Sequence, residues 1–166
     1  MKKYFMLLIV LMLPTTIAHA HGNISKLPDS VQILQYKMAL FMKKDDIDLQ
    51  NKLAMAYFRN DQLKEAKEHL EAVLKNDKRN FDSLDGLGLV FFKMGENKKA
   101  LSYLKKALVV NPDDMMIHVH LALNYEKLDL KELSKKEILI ARSLAKGAEE
   151  QKAIEEEIAI LSLIGS

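Results

Sequence analysis

Large apolar residues recur along the middle of the chain with a period longer than one helix or strand supplies. When the segments beginning at Ile47, Phe81 and Met115 are superposed, Leu53, Leu87 and Leu121 share the seventh place, and Tyr57, Phe91 and Tyr125 share the eleventh. Ala54, Gly88 and Ala122 share the eighth place, and Ala66, Ala100 and Ser134 the twentieth. Leu70, Leu104 and Ile138 hold the twenty-fourth, and Val73, Ala107 and Ala141 the twenty-seventh. These columns keep their size class through three ungapped copies of 34 residues, the signature of a stacked array. Each copy reads as two helices separated by a short turn. Small residues at the eighth and twentieth places let the two helices approach closely, while the large residues fill the space on either side.

The punctuation agrees with this reading. Gly95, Asp61 and Asp129 share the place just after the first helix of each copy. Glycine takes the left-handed conformation freely, and aspartate tolerates it better than most residues. Asn111-Pro112-Asp113 is expected to stop one helix and cap the next, with Asn80 and Asp46 as caps at the equivalent junctions.

A repeat cannot bury its apolar face alone, so the two ends need covers. Pro28-Asp29-Ser30 announces a helix of about 14 residues with Ile33, Tyr36, Ala39 and Leu40 on one stripe. At the other end Lys146-Gly147 closes a helix and Glu149 begins another. Ile154, Ile158 and Leu161 form the stripe of that last helix, widened by Ile160, Leu163 and Ile164. That stripe suits either packing on the third hairpin or a seam between two copies of the chain. The expected organisation is a signal peptide at 1–20, a flexible leader at 21–28, an N-terminal capping helix at 29–46, hairpins at 47–80, 81–114 and 115–148, and a C-terminal helix at 149–166.

At these residues the chain resembles the tetratricopeptide repeat (TPR) family. The second copy follows the pattern closely through Leu87-Gly88, Phe91, Gly95, Ala100, Ala107 and Pro112. The first copy departs from it at Lys78, which stands at the proline's place, and in all three copies the family's tryptophan is replaced, by Gln50, Leu84 and His118. The resemblance implies an all-α, right-handed solenoid of about three helical hairpins, with a capping helix at each end and a concave groove. It also implies that ligands contact the first helix of each hairpin at its second, fifth, ninth, twelfth and thirteenth places. Those places hold Asp48, Asn51, Met55, Phe58 and Arg59 in the first copy, and Asp82, Asp85, Leu89, Phe92 and Lys93 in the second. In the third they hold Met116, Val119, Leu123, Glu126 and Lys127. Met55, Phe58, Leu89, Phe92, Val119 and Leu123 form an apolar strip, and Arg59, Lys93 and Lys127 a basic ladder. A protein or peptide segment with apolar anchors and some acidic groups would suit both. The strip can equally be filled by the chain's own N-terminal helix or tail, and the ladder can be a solvated edge. The carboxylate-clamp pattern of chaperone-binding members is absent from these columns.

Composition narrows the function classes. The formal charge of +2 comes entirely from Lys2 and Lys3; the remaining basic and acidic residues are equal in number. No global basic footprint for nucleic acid is present. There is no cysteine, which excludes disulfides, thiol nucleophiles and cysteine-based metal sites. Lys2 and Lys3, the apolar run from Tyr4 to Leu13 and the small residues Ala18 and Ala20 predict a secretory signal cleaved after Ala20. The alternative is an uncleaved anchor using Tyr4 to Ala20. The mature product is expected in the periplasm or outside the cell, with no membrane segment after cleavage.

Candidate chemistry is thin. Gly86-Leu87-Gly88 lacks the third glycine of a dinucleotide fingerprint, because position 91 is Phe91. His118 and His120 are two apart and face different directions on a helix, so they cannot chelate one ion together. His69 has no partner nearby in sequence. His21 would become the N-terminus after cleavage, but a lone imidazole makes a poor copper site. Asn23-Ile24-Ser25 matches a glycosylation acceptor by pattern alone. No nucleophile elbow, zinc-protease helix or Walker loop occurs. The sequence therefore predicts a non-enzymatic scaffold with no catalytic residue, cofactor or metal, assisting assembly of an envelope complex. The alternative is a structural protein that self-associates through its apolar C-terminal helix. Accessory roles in cytochrome c maturation, pilus assembly or secretion all fit, and nothing selects among them.

Overall fold

In the structure of the protein, a computed structural model, residues 27–163 are described. The expected signal peptide, His21 and Asn23 lie outside the described residues, as does Ile164. Within them the chain is all helical: α1 Asp29–Met42, α2 Ile47–Arg59, α3 Leu63–Asn76, α4 Phe81–Lys93, α5 Asn97–Val110, α6 Met115–Lys127, α7 Lys131–Leu144 and α8 Ala148–Ser162. No described helix is long and apolar enough to cross a membrane.

The junction chemistry explains these boundaries. Asp46 accepts from the backbone N–H of Leu49 at 3.0 Å, and Asn80 from that of Ser83 at 3.0 Å. At the third junction the cap is Asp114, one residue beyond the expected Asp113; its carboxylate accepts from Met116 and Ile117. Two of the four orphan donors at that helix start are thereby satisfied. Between the helices of each hairpin, Asp61, Gly95 and Asp129 have φ of 62°, 75° and 59°. The next residue's N–H then reaches back to Tyr57, Phe91 and Tyr125 respectively, at 2.9 Å each. The eleventh-place residue thus anchors the turn through its backbone carbonyl and the core through its buried ring.

The size columns meet as their register requires. A Cβ built on Gly88 would lie 2.4 Å from Leu104 Cδ2, so α4 and α5 cross closer than any larger residue permits. Leu70 reaches across to Gly86 of the next hairpin, linking one repeat to the following one. Ala54, Ala66, Leu70, Leu87, Ala100 and Leu104 are all buried. α2/α3, α4/α5 and α6/α7 are the closest-packed neighbours, with α3/α4 and α5/α6 joining the hairpins into a right-handed solenoid.

The two end helices behave differently. α1 turns Tyr36 inward with Ile33 and Leu40 beside it, and it also buries Gln32. α8 begins on α7, where Gln151 donates to the Arg142 carbonyl and Arg142 pairs with Glu155 at 2.8 Å. It then leaves α7 and lies chiefly against α6. Near its end, Ser162 borders a small cavity shared with Phe92 of α4 and Leu123 of α6. The last helix thus crosses obliquely over the first-helix layer.

Candidate functional site

The concave face is built by α2, α4 and α6, and α8 divides it into two unlike halves. In the C-terminal half, Ile154 and Leu161 of α8 are buried in the same core as Leu89, Phe92, Val119 and Leu123, with Ile158 packed against them. The apolar strip expected to receive a partner is therefore covered. Phe58, Leu89, Phe92, Val119 and Leu123 are between 0% and 6% exposed. The physical reason is direct: an amphipathic helix on a three-residue tether covers apolar surface at far lower entropic cost than a separate partner does.

A buried polar clasp fixes α8 there. His120 of α6 is 6% exposed and lies between two carboxylates. Its Nδ1 is 2.7 Å from Asp85 Oδ1 of α4, and its Nε2 is 3.3 Å from Glu157 Oε1 of α8. Burial alone would depress the imidazole pKa, but the Asp85 charge and hydrogen bond, helped by Glu157, overturn that and raise it to about 10. The bond from His120 holds the Glu157 carboxyl below its ordinary value. The three residues bridge three helices of the concave layer.

The basic ladder is also engaged within the chain. Arg59 donates from Nε to Asp29 at 2.8 Å and from Nη2 to Gln32 at 2.9 Å, docking α1. Lys93 sits 5.1 Å above the Phe58 ring, pairs with Asp61 at 3.1 Å and donates to the Phe58 carbonyl. Lys127 and Glu126 border the small cavity beside Ser162. Met116 is half-buried and packs against the core. Arg59 and Lys93 are thus internal fastenings rather than rungs of an open cationic track.

The N-terminal half remains open. A cleft of ≈ 560 Å³ lies between α1, α2 and α4, bordered by Tyr36, Asp48, Met55, Arg59, Asp82 and Asp85 among others. Met55 forms part of its apolar surface. Asn51 lies at its base, where it donates to Asn80 at 3.0 Å and accepts from Ser83 at 2.6 Å, so it couples two hairpins. Partial burial raises the pKa of the Asp82 carboxyl, and the like charges of Asp85, Asp48 and Asp114 raise it further. Lys52, also on the lining, pairs with Asp48, Arg59 pairs with Asp29 and Asp85 pairs with His120, so Asp82 is the lining carboxylate outside these pairs.

Sequence reasoning missed His120 and Gln32 as fastenings. Their partners stand 27 to 37 residues away, beyond any local pattern. The other histidines among the described residues, His118 and His69, are held by internal contacts. His118 Nδ1 lies 2.6 Å from Glu137, and Nε2 lies 2.9 Å from the Pro112 carbonyl. His69 stacks on Tyr57. No cluster of three or more metal-ligating side chains occurs among the described residues.

Comparison with known proteins agrees with this geometry. A family model described as YpiA-like, C-terminal tetratricopeptide repeats matches residues 49–114. A thermophilic TPR protein of Thermus thermophilus, TTC0263, superposes with a TM-score of 0.70 at 20% identity, covering 81% of this chain and 73% of that one. Residues 49–114 are thus matched to tetratricopeptide repeats, and the described chain has the fold of a TPR solenoid. The TPR fold is shared with MamA, at a TM-score of 0.60 and 24% identity over 75% of this chain and 71% of that one. Human Superkiller complex protein 3 is 31% identical over 86 residues, which are 52% of this chain and 6% of the human protein. The chain thus corresponds to a small part of that relative.

Proposed function

We propose that this protein is a non-enzymatic scaffold that holds a segment of a partner protein in the open N-terminal half of its concave face. The observation that carries the reading is the division of that face: α8 covers the apolar strip, leaving the ≈ 560 Å³ cleft at Asp48, Met55 and Asp82 accessible. The Asp82 carboxylate, outside the cleft's ion pairs, changes the expected partner group from acidic to basic. A lysine or arginine set against Asp82 would relieve its like-charge crowding, while an adjacent apolar side chain rests on Met55 and Tyr36. The apolar run from Tyr4 to Leu13 supports action after export, in the periplasm or outside the cell, in the assembly of an envelope complex. In a pull-down, a folded Asp82→Lys, Met55→Glu protein should lose the partner that the wild type captures. Unchanged capture by that variant contradicts the reading.

A second reading, self-association, is favoured by one observation at a different place from the expected tail. Ile154 and Leu161 are spent inside the molecule, but α1 turns Leu34, Met38, Phe41 and Met42 outward at 59%, 64%, 78% and 80% exposure. Val31, Leu34, Met38 and Phe41 follow the alternating three- and four-residue spacing of a coiled-coil seam, with Met42 beside it.

A further inference from the structure

A second cleft, of ≈ 480 Å³, lies between α5 and the α3–α4 loop and shares no residue with the concave recess. Its apolar surface is Leu84, Val109 and Val110; its other lining residues are Lys78, Arg79, Lys105 and Lys106. Leu84 stands at the fourth place of its repeat. In the third repeat that place holds His118, which fills the space by bonding to Glu137 and the Pro112 carbonyl. Leu84 makes no such bonds and is buried at the cleft's floor.

The charge of the cleft is not neutralised. None of the four cations forms an ion pair among the described residues, and no carboxylate lines the cleft beside them. Lys106 sits 4.8 Å over the Tyr103 ring. The nearby Asp77 carboxylate is turned into its own loop, accepting from Arg79 N and Asn80 Nδ2. Val109 is 75% exposed at the cleft mouth. An apolar floor with a purely cationic rim selects a ligand that is apolar at its centre and anionic around it. The recess suits a protruding side chain better than a flat membrane surface, because Val109 is its one strongly exposed apolar residue.

We propose that this cleft docks an acidic segment of a partner protein, a short stretch in which carboxylates flank one bulky apolar side chain. The apolar side chain seats on Leu84, Val109 and Val110, and the flanking carboxylates meet Lys78, Arg79, Lys105 and Lys106.

The test uses fluorescence anisotropy with a labelled peptide in which glutamates flank a central phenylalanine. The full chain should bind it, and affinity should fall with added salt. Lys105→Glu with Lys106→Glu should weaken binding at least tenfold; both residues are exposed, so the fold should be kept. Val109→Glu should weaken it similarly and serves if the double variant does not fold. Asp82→Lys should leave it unchanged, which separates this site from the concave cleft. Undiminished binding by both cleft variants overturns the proposal, as does equal binding of an all-glutamate peptide. Preference for phosphatidylglycerol vesicles over the peptide overturns it in favour of a membrane. Self-association abolished by the Lys105→Glu, Lys106→Glu change overturns it in favour of a second copy.

Discussion

Gly86 and Gly88 lie two residues apart in the same helix, and replacing each with alanine separates packing from propensity. In a helix interior either change gains about 1 kcal/mol from the loss of glycine's backbone freedom. Their surroundings differ. A methyl at position 86 would meet the two terminal carbons of Leu70 at 3.1 and 3.2 Å and the Met55 sulfur at 3.3 Å. These are ends of flexible side chains, and they yield by a few tenths of an ångström. A methyl at position 88 would lie 2.4 Å from Leu104 Cδ2 and 2.6 Å from its Cγ, with the Leu104 backbone nitrogen at 3.5 Å. Leu104 is 1% exposed, so α4 and α5 must move apart. Overpacking of that kind costs about 1–3 kcal/mol. The propensity gain cancels in the comparison, so Gly88→Ala should be less stable than Gly86→Ala by about 1–3 kcal/mol. Urea unfolding followed by far-ultraviolet circular dichroism, fitted for midpoint and slope, measures the difference. Equal stability of the two variants, or a reversed order, would refute the argument that a close helix crossing sets the eighth column.

Three further outcomes follow from other parts of the molecule. Asp129→Gly should stabilise by about 0.5–1 kcal/mol, because Asp129 holds a left-handed φ of 59° and its pair with Lys131 is exposed; a lower urea midpoint would contradict this. The His120 clasp should make stability fall with alkalinity. The folded imidazole pKa is raised from 6.5 to about 10, so its contribution is complete below pH 6.5 and is lost as pH rises to about 10. Glu157 is shifted the other way, so its contribution is lost on acidification below its ordinary value. Urea midpoints between pH 6.5 and 10 should decline less steeply for His120→Gln than for the wild type, and parallel declines would exclude the clasp. If α1 is a self-association seam, Leu34→Glu with Phe41→Glu should shift a concentration-dependent sedimentation coefficient to that of a monomer; a wild type that is monomeric throughout the accessible range removes that reading.

The legible part of the molecule was that dictated by short-range rules. Columns at fixed spacing gave the hairpins, and Asp61, Gly95 and Asp129 marked the left-handed turns that the structure shows. Asp46 and Asn80 were readable as caps because a side-chain oxygen three residues before its donor is a local geometry. Asp113 and Asp114 are adjacent and chemically identical, so the pattern did not separate them. What stayed hidden depended on direction. The stripe of Ile154, Ile158 and Leu161 shows that α8 buries one face but carries no information about whether it lies on α7 or crosses α6. That choice is made by tertiary partners such as Asp85 and His120, which come from different repeats. The same fact turned Arg59 of the expected basic docking track into an internal fastening, since it finds Asp29 and Gln32 only once α1 is docked.

Because the chain has no cysteine, single engineered thiols report directly on which half of the concave face is open. Cysteines placed at Lys52 and, separately, at Leu123 should react with maleimide at very different rates: Lys52→Cys near the rate of a free thiol, and Leu123→Cys slowed at least tenfold under the cover of α8. Truncation after Lys146 should bring the second rate up toward the first. Equal rates in the full chain, or a slow Leu123→Cys that truncation leaves unchanged, would contradict the division of the face on which the proposed function rests.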